Sequence, residues 1–252
     1  MENNKIYNID CLLGLKQLKD NTVDLIITSP PYNVNKEYEE KLNLHKYLII
    51  QESVLEECKR VLTDKGSICW QTGSTKVDNK YIPLDVFFWH ILNKMNMKFQ
   101  NRIIWTFNHG LNSTNRFSYR HEIILWFSKT DDYNFNIDPI RIPQLYPKKK
   151  HFKGPKKGQY SCNPLGKNPG DVWDITNIKF NHPEKTSHPC QFPEKLVERL
   201  ILSMSNPRDL VLDPYMGSGT TAVVCKKHHR QYLGFEYIKK YVNIANKRLK
   251  DV

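Results

Sequence analysis

The residues best placed to do chemistry fall in two short runs far apart in the chain. The first, Thr28-Ser29-Pro30-Pro31-Tyr32, ends an apolar stretch that begins at Val23. Two successive prolines fix the backbone and remove two N–H donors, so the carbonyls around them point in set directions. A hydroxyl in front of the prolines and an aromatic ring behind them make a small amide-like pocket. Such a pocket can accept hydrogen bonds from an NH₂ group and stack on a planar ring. Taken alone, the run also fits a structural proline turn.

The second run is Leu210-Val211-Leu212-Asp213 leading into Pro214-Tyr215-Met216-Gly217-Ser218-Gly219-Thr220-Thr221. It reads as strand, glycine turn and helix. Gly217 and Gly219 let the backbone approach a ligand, and the helix N-terminus offers free N–H groups. A P-loop needs Gly-Lys-Ser/Thr at the helix start; no lysine stands there, which argues against nucleoside triphosphate hydrolysis. The dinucleotide fingerprint is not matched either. Seventeen residues after Gly219, Glu236 closes the next strand, where an acid can accept hydrogen bonds from ribose hydroxyls. The pattern fits an adenosine-containing cofactor or a plain tight turn.

Short apolar runs alternating with amphipathic stretches must position these residues. Strands are expected at Ile6 to Ile9, Val23 to Thr28, Ser67 to Trp70, Ile103 to Phe107, Ile123 to Phe127, Leu210 to Asp213 and Tyr232 to Glu236. Helices are expected at Leu12 to Leu18, His45 to Leu62, Pro83 to Met95, Pro193 to Ser203, Thr220 to Lys227 and Ile238 to Lys250. Gly66 stands where a helix C-terminus favours glycine. The alternation implies an α/β fold with a mostly parallel sheet covered on both faces; the two close strands at 103–127 suit an antiparallel edge.

Lys and Arg number 38 against 26 Asp and Glu, a formal net charge of +12. A polyanionic partner accounts for that excess, because neutralised phosphates release counterions; a merely soluble basic surface is the plainer reading. Between Pro139 and Gly170 stand Arg141, Lys148, Lys149, Lys150, Lys153, Lys156, Lys157 and Lys167, with no acid and six of the fourteen prolines. Interleaved Tyr146, Phe152 and Tyr160 favour a docking surface over a solvated linker. The chain therefore reads as one domain, 1–252, with 132–172 a basic insertion. The six cysteines, Cys11, Cys58, Cys69, Cys162, Cys190 and Cys225, form no Cys-x-x-Cys pair. That argues against a zinc ribbon or disulfide scaffold and suits a reducing cytosol; no metal site is expected. A polar N-terminus and the lack of a long apolar run predict a soluble cytoplasmic protein with no membrane association.

Together, Ser29-Pro30-Pro31-Tyr32 and Asp213-Pro214-Tyr215-Met216-Gly217-Ser218-Gly219-Thr220-Thr221 resemble the amino-methyltransferases of bacterial restriction–modification systems. Catalytic motif first and cofactor loop last is similar to their β class, a circular rearrangement of the usual order. The resemblance covers nearly the whole chain. It implies a Rossmann-like methyltransferase fold with a seven-stranded sheet, S-adenosylmethionine as cofactor and double-stranded DNA as partner. Asn8-Ile9-Asp10-Cys11 resembles the family's acidic segment near the cofactor, which implicates Asp10. His188-Pro189-Cys190-Gln191-Phe192-Pro193 resembles the segment at the methionine end, which implicates His188, Pro189 and Phe192. Asp213, Pro214, Tyr215, Gly217, Ser218, Gly219, Thr220 and Glu236 complete the implied cofactor set, with Tyr215 in place of the commoner phenylalanine. The basic excursion takes the place of the target recognition region, and His109, Arg116 and Arg120 are further candidates for DNA contact. A partner restriction endonuclease and a homodimer are further implications, in a bacterial or archaeal cell.

The implied reaction begins with the target nucleotide flipped from the duplex, at a cost of a few kcal/mol. Tyr32 stacks on the base while Ser29 Oγ and the Pro30 carbonyl accept from its NH₂ group, whose nitrogen attacks the sulfonium methyl directly. Ser29 is no strong base, and proton loss to water is sufficient in principle. Thr-Ser-Pro-Pro-Tyr resembles the N4-cytosine group more than the Asp-Pro-Pro-Tyr adenine group; N6-adenine methylation is the alternative. A DNA-binding module with a vestigial pocket is a third reading, against which the intact Ser29, Tyr32, Gly217, Gly219 and Glu236 weigh. Protein and RNA amino-methyltransferases usually carry Asn-Pro-Pro-Tyr after the cofactor loop. Pro189-Cys190-Gln191 spells the tripeptide of cytosine-C5 enzymes, but its place before the cofactor helix is wrong for them, and Cys190 is expected to be a small packing residue.

Overall fold

The computed structural model describes residues 1–110 and 112–252. The first half runs β1 (Lys5–Tyr7), α1 (Cys11–Leu15), β2 (Val23–Thr28), α2 (Leu44–Val61), β3 (Leu62–Thr72), β4 (Ser74–Val77), β5 (Lys80–Pro83) and α3 (Leu84–Lys94). It continues through β6 (Lys98–Thr106), β7 (His121–Ser128), β8 (Val172–Asp174), α4 (Glu194–Met204) and β9 (Leu210–Asp213). The described chain closes with α5 (Thr220–Lys227), β10 (Gln231–Phe235) and α6 (Lys239–Lys250).

One sheet takes the order β1-β10-β9-β2-β3-β7-β6-β8. All neighbours pair in parallel except at β7, which runs antiparallel to both β3 and β6. The fold is thus the expected mostly parallel α/β sheet, with eight strands where seven were expected. The added strand is β8, whose Trp173 pairs beside Trp105. The reversed strand is also not at the edge: β7 lies inside, and β6 and β8 continue beyond it.

Strands β2, β3 and β7 are buried on both faces, and side-chain alternation divides them between two cores. Leu25, Ile27, Cys69, Ile124 and Trp126 face α4, α5 and α6; Ile26, Ile68, Trp70, Leu125 and Phe127 face α2 and α3. Each such aliphatic or aromatic side chain contributes about 1.5–3 kcal/mol by leaving water. Two helices begin on side-chain caps. Asp10 Oδ1 accepts from the Leu12 and Leu13 N–H groups and starts α1, and Asn43 accepts from His45 at the start of α2. Gly66 does not cap α2. That helix passes straight into β3, and Gly66 lies within the strand, where pairing with β2 jumps from Leu62 to Ser67.

Between β7 and β8 the basic segment is irregular, with one 3₁₀ turn, Asp138–Ile140. It doubles back on itself through backbone bridges Ile142↔Lys167 and Lys150↔Tyr160. Among the described residues no helix is long and apolar enough to cross a membrane.

Candidate active site

Strands β2 and β9 are neighbours, with Leu25 opposite Val211 and Ile26 opposite Leu212. The two chemically suggestive runs therefore leave the sheet side by side at its carboxyl edge, where parallel α/β sheets bind ligands. A hydrogen bond ties them: Thr28 Oγ1 donates to Asp213 Oδ1 at 2.6 Å. Thr221 Oγ1 donates to Asp213 Oδ2 at 2.7 Å, and the Tyr215 N–H to Oδ1 at 3.0 Å. Burial pushes the Asp213 carboxyl up to about 6, against the pull of these donors. Asp213 lies beneath the glycine loop rather than in the cleft wall.

Above it the loop needs both of its glycines. Gly217 has φ +52°, and a Cβ there would sit 3.2 Å from His188 Nε2. Gly219 has φ +81° and begins α5 so close to α6 that a Cβ would come within 2.6 Å of the Ala245 Cβ. Glu236 reaches back across the loop. Its Oε2 accepts from Gly217 N–H at 2.9 Å and its Oε1 from Ile238 N–H at 2.7 Å, which fixes the carboxylate and leaves lone pairs on both oxygens. Burial raises the Glu236 carboxyl above its ordinary value.

The proline run is pinned as firmly. Tyr47 Oη donates to the Pro31 carbonyl at 2.7 Å. Asn33, at φ +58°, exchanges side-chain hydrogen bonds with the Leu42 backbone, and the Glu39 carboxylate accepts from the Asn33 and Val34 N–H groups. Tyr32 packs against Gly73, where a Cβ would stand 3.0 Å from the ring. Its Oη lies 3.2 Å from Ser29 Oγ and donates to Glu122 Oε2 at 3.1 Å. Gln71 Nε2 donates to the same carboxylate oxygen. Burial pushes the Glu122 carboxyl up from its ordinary value.

A cleft of about 460 Å³ joins these parts. Of the expected site residues, Asp10, Ser29, Pro30, Pro31, Tyr32, His188, Pro189, Phe192, Pro214, Tyr215, Gly217, Ser218, Thr220 and Glu236 line it; Asp213 and Gly219 do not. His188 is buried between Tyr38, stacked at 5.8 Å, and Tyr241, edge-on at 4.3 Å. Burial pushes its pKa down to about 4, so the imidazole is neutral near pH 7. Cys190 is not the packing residue expected: it is exposed at the cleft, while its N–H donates to His188 Nδ1. Glu122, Gln71, Trp105 and Phe107 also line the cleft and were missed. Only Glu122 left a trace, as an acid opening the otherwise apolar stretch Ile123 to Phe127.

The candidates for DNA contact stand outside this cleft. Lys148, Lys149, Lys150, Lys153, Lys156 and Lys157 are all exposed, and among the described residues none has an ion pair. Lys150 lies 5.4 Å from the Tyr160 ring centroid. Arg116 lies over the Tyr81 and Tyr119 rings at 4.1 and 4.8 Å, lining a second cavity that shares Tyr32 and Glu122 with the cleft. Arg120 donates to Asn112 Oδ1 and to the Tyr119 carbonyl, and the exposed His109 accepts from Asn177 through its carbonyl.

Residues 23–247 match the family model described as DNA methylase, N6/N4 type. The type II methyltransferase M.BglII of Bacillus subtilis is 51% identical over 243 residues, 96% of this chain and 68% of that protein. Among solved structures, the PvuII DNA methyltransferase (cytosine-N4-specific) superposes with a TM-score of 0.76 at 22% identity, covering 98% of this chain and 86% of that one. The Thermus thermophilus protein TTHA0409, complexed with S-adenosyl-L-methionine, has a TM-score of 0.69 at 23% identity, covering 98% and 93%.

Proposed function

The chain belongs to the N6/N4 DNA methylase family of restriction–modification enzymes, and on that premise we propose that it methylates the N4 amino group of a cytosine in duplex DNA. One observation carries the amino-methylation part of this reading. The Ser29–Tyr32 run and the Gly217–Glu236 cradle open into a single cleft, locked together by the Thr28–Asp213 hydrogen bond.

The cradle fits S-adenosylmethionine. Glu236 is a fixed acceptor for a ribose diol, Gly217 leaves the backbone bare beside His188, and a neutral imidazole is compatible with a nearby sulfonium. When bound, that molecule supplies an electrophilic methyl group. Extruding the target base costs a few kcal/mol. Tyr32 stacks on it, and Ser29 Oγ with the Pro30 carbonyl accepts from its amino group, drawing the nitrogen lone pair out of conjugation. Positioning and exclusion of water supply most of the acceleration, with no covalent enzyme intermediate. The choice of cytosine rests on resemblance: Thr28-Ser29-Pro30-Pro31-Tyr32 is similar to the N4-cytosine group, with Ser29 where the adenine group carries aspartate. The 132–172 excursion, with its exposed lysines, is the segment that recognises DNA.

The test is methyl transfer from labelled cofactor to unmethylated genomic DNA, followed by nucleoside analysis. N4-methylcytosine is the expected product. Tyr32→Ala nearly abolishes it, since a stacked base is worth about 1–3 kcal/mol and misplacement of the nitrogen costs further rate. Cys190→Ser retains substantial activity. Labelled 5-methylcytosine, or an inactive but folded Cys190→Ser, overturns direct amino methylation; N6-methyladenine overturns only the choice of base.

A further inference from the structure

Methylating an amino nitrogen leaves it with one proton too many, and Ser29 alone cannot keep that proton. The structure holds a chain of groups that can. Tyr32 Oη donates its single proton to Glu122 Oε2 at 3.1 Å. The 3.2 Å contact between Ser29 Oγ and Tyr32 Oη must then use the serine proton, so Ser29 donates to Tyr32. That leaves the Ser29 lone pairs facing the cleft as acceptors. Gln71 Nε2 donates to the same Glu122 oxygen and holds the carboxylate in place. Asp10 and Glu236, the other acids in the cleft wall, are engaged by the start of α1 and by the glycine loop.

We infer that Ser29, Tyr32 and Glu122 form a proton path, with the Glu122 carboxylate the final acceptor of the proton shed by the target amino group. The inference rests on the amino-methylation reading. The amino nitrogen forms its bond to the methyl carbon as the carbon–sulfur bond breaks and its electron pair stays on sulfur. An N–H proton of the resulting cation passes to Ser29 Oγ, the serine proton to Tyr32 Oη, and the tyrosine proton to Glu122. A neutral methylamino group and a neutral carboxylic acid result, and the acid later returns its proton to water. Burial strengthens Glu122 as a proton acceptor, as the task requires. The chain also fixes the direction of the Ser29 hydroxyl, which otherwise could as well donate toward the base.

Single-turnover transfer of labelled methyl to DNA, at saturating cofactor and DNA, tests the path in Glu122→Gln, Tyr32→Phe and Glu122→Ala. The first two keep the shape of the site while breaking the chain. Each is expected to slow transfer by about 100-fold, within the range of general acid–base catalysis, with the affinities for cofactor and DNA retained. Formate, a small carboxylate, is expected to restore part of the rate in Glu122→Ala and none in Tyr32→Phe. Rates within about threefold of wild type in Glu122→Gln and Tyr32→Phe overturn the path while leaving the proposed reaction standing. Should Glu122→Gln fail to fold, Tyr32→Phe alone decides. A wild-type enzyme that puts no label on an amino nitrogen overturns both readings, and is told apart by that result.

Discussion

Burial holds the His188 imidazole neutral, from an ordinary 6.5 down to about 4. The unfolded chain then binds a proton in a range where the folded one does not, so His188 costs stability as pH falls from 6.5 toward 4. Asp213 works the other way. Its carboxyl rises from 3.8 to about 6, so the folded state takes up its proton first and gains stability over much of the same acid range. The two trends oppose each other, and the whole-protein acid limb does not isolate either. Comparison with His188→Gln does. Without cofactor, the stability of wild type relative to the variant is expected to fall by about 1.4 kcal/mol per pH unit between 6.5 and 4. Urea midpoints at pH 7 and 4.5 measure this; an unchanged difference would mean that His188 titrates as an exposed imidazole. At this scale the sequence was informative where backbone chemistry is unusual. Paired prolines and close glycines signal constrained geometry, and both mark the cleft. Glu122 and Gln71 carry no such mark, because what distinguishes them is their meeting beside Tyr32, which only the folded sheet brings about.

Among the elements, α5 shows how closely packing and ligand geometry are joined. Its first turn touches α6 through Gly219, where a Cβ would come within 2.6 Å of Ala245 and φ is already positive. Gly219→Ala is expected to destabilise the protein by about 1–3 kcal/mol and to weaken cofactor binding, since the loop must shift to relieve the contact. Thermal melts with and without S-adenosylmethionine check it; an unchanged melting temperature would show that α6 yields freely. Long periodic helices such as α2, α4 and α6 were legible, as were the apolar strands. The three-residue β8 and the β4–β5 hairpin were not, for a short segment contains too few residues to show a period. The place of β7 was missed for a different reason. Strand order depends on which partner accepts each edge, a long-range choice that no local pattern records.

For the molecule as a whole, the +12 charge is concentrated where the fold is least regular. Replacing Lys148, Lys149 and Lys150 with alanine is expected to weaken DNA binding and flatten its salt dependence, by about 0.9 slope units for each phosphate no longer neutralised. Titrations across a range of salt concentrations report it, and an unaltered slope would return the segment to the status of a solvated linker. The adjacency of β2 and β9 bears on how the molecule comes into being. Strand β2 leaves the ribosome early, while Asp213, at the end of its neighbour on one side, lies 185 residues beyond Thr28. At 5–20 residues per second, that edge waits roughly 10–40 s, apolar and unpaired, open to misassociation with another chain. Until the C-terminal part of the chain arrives with β9 and β10, the proline loop has no Asp213 to hold it, and a truncated product carries the motif without the means to use it.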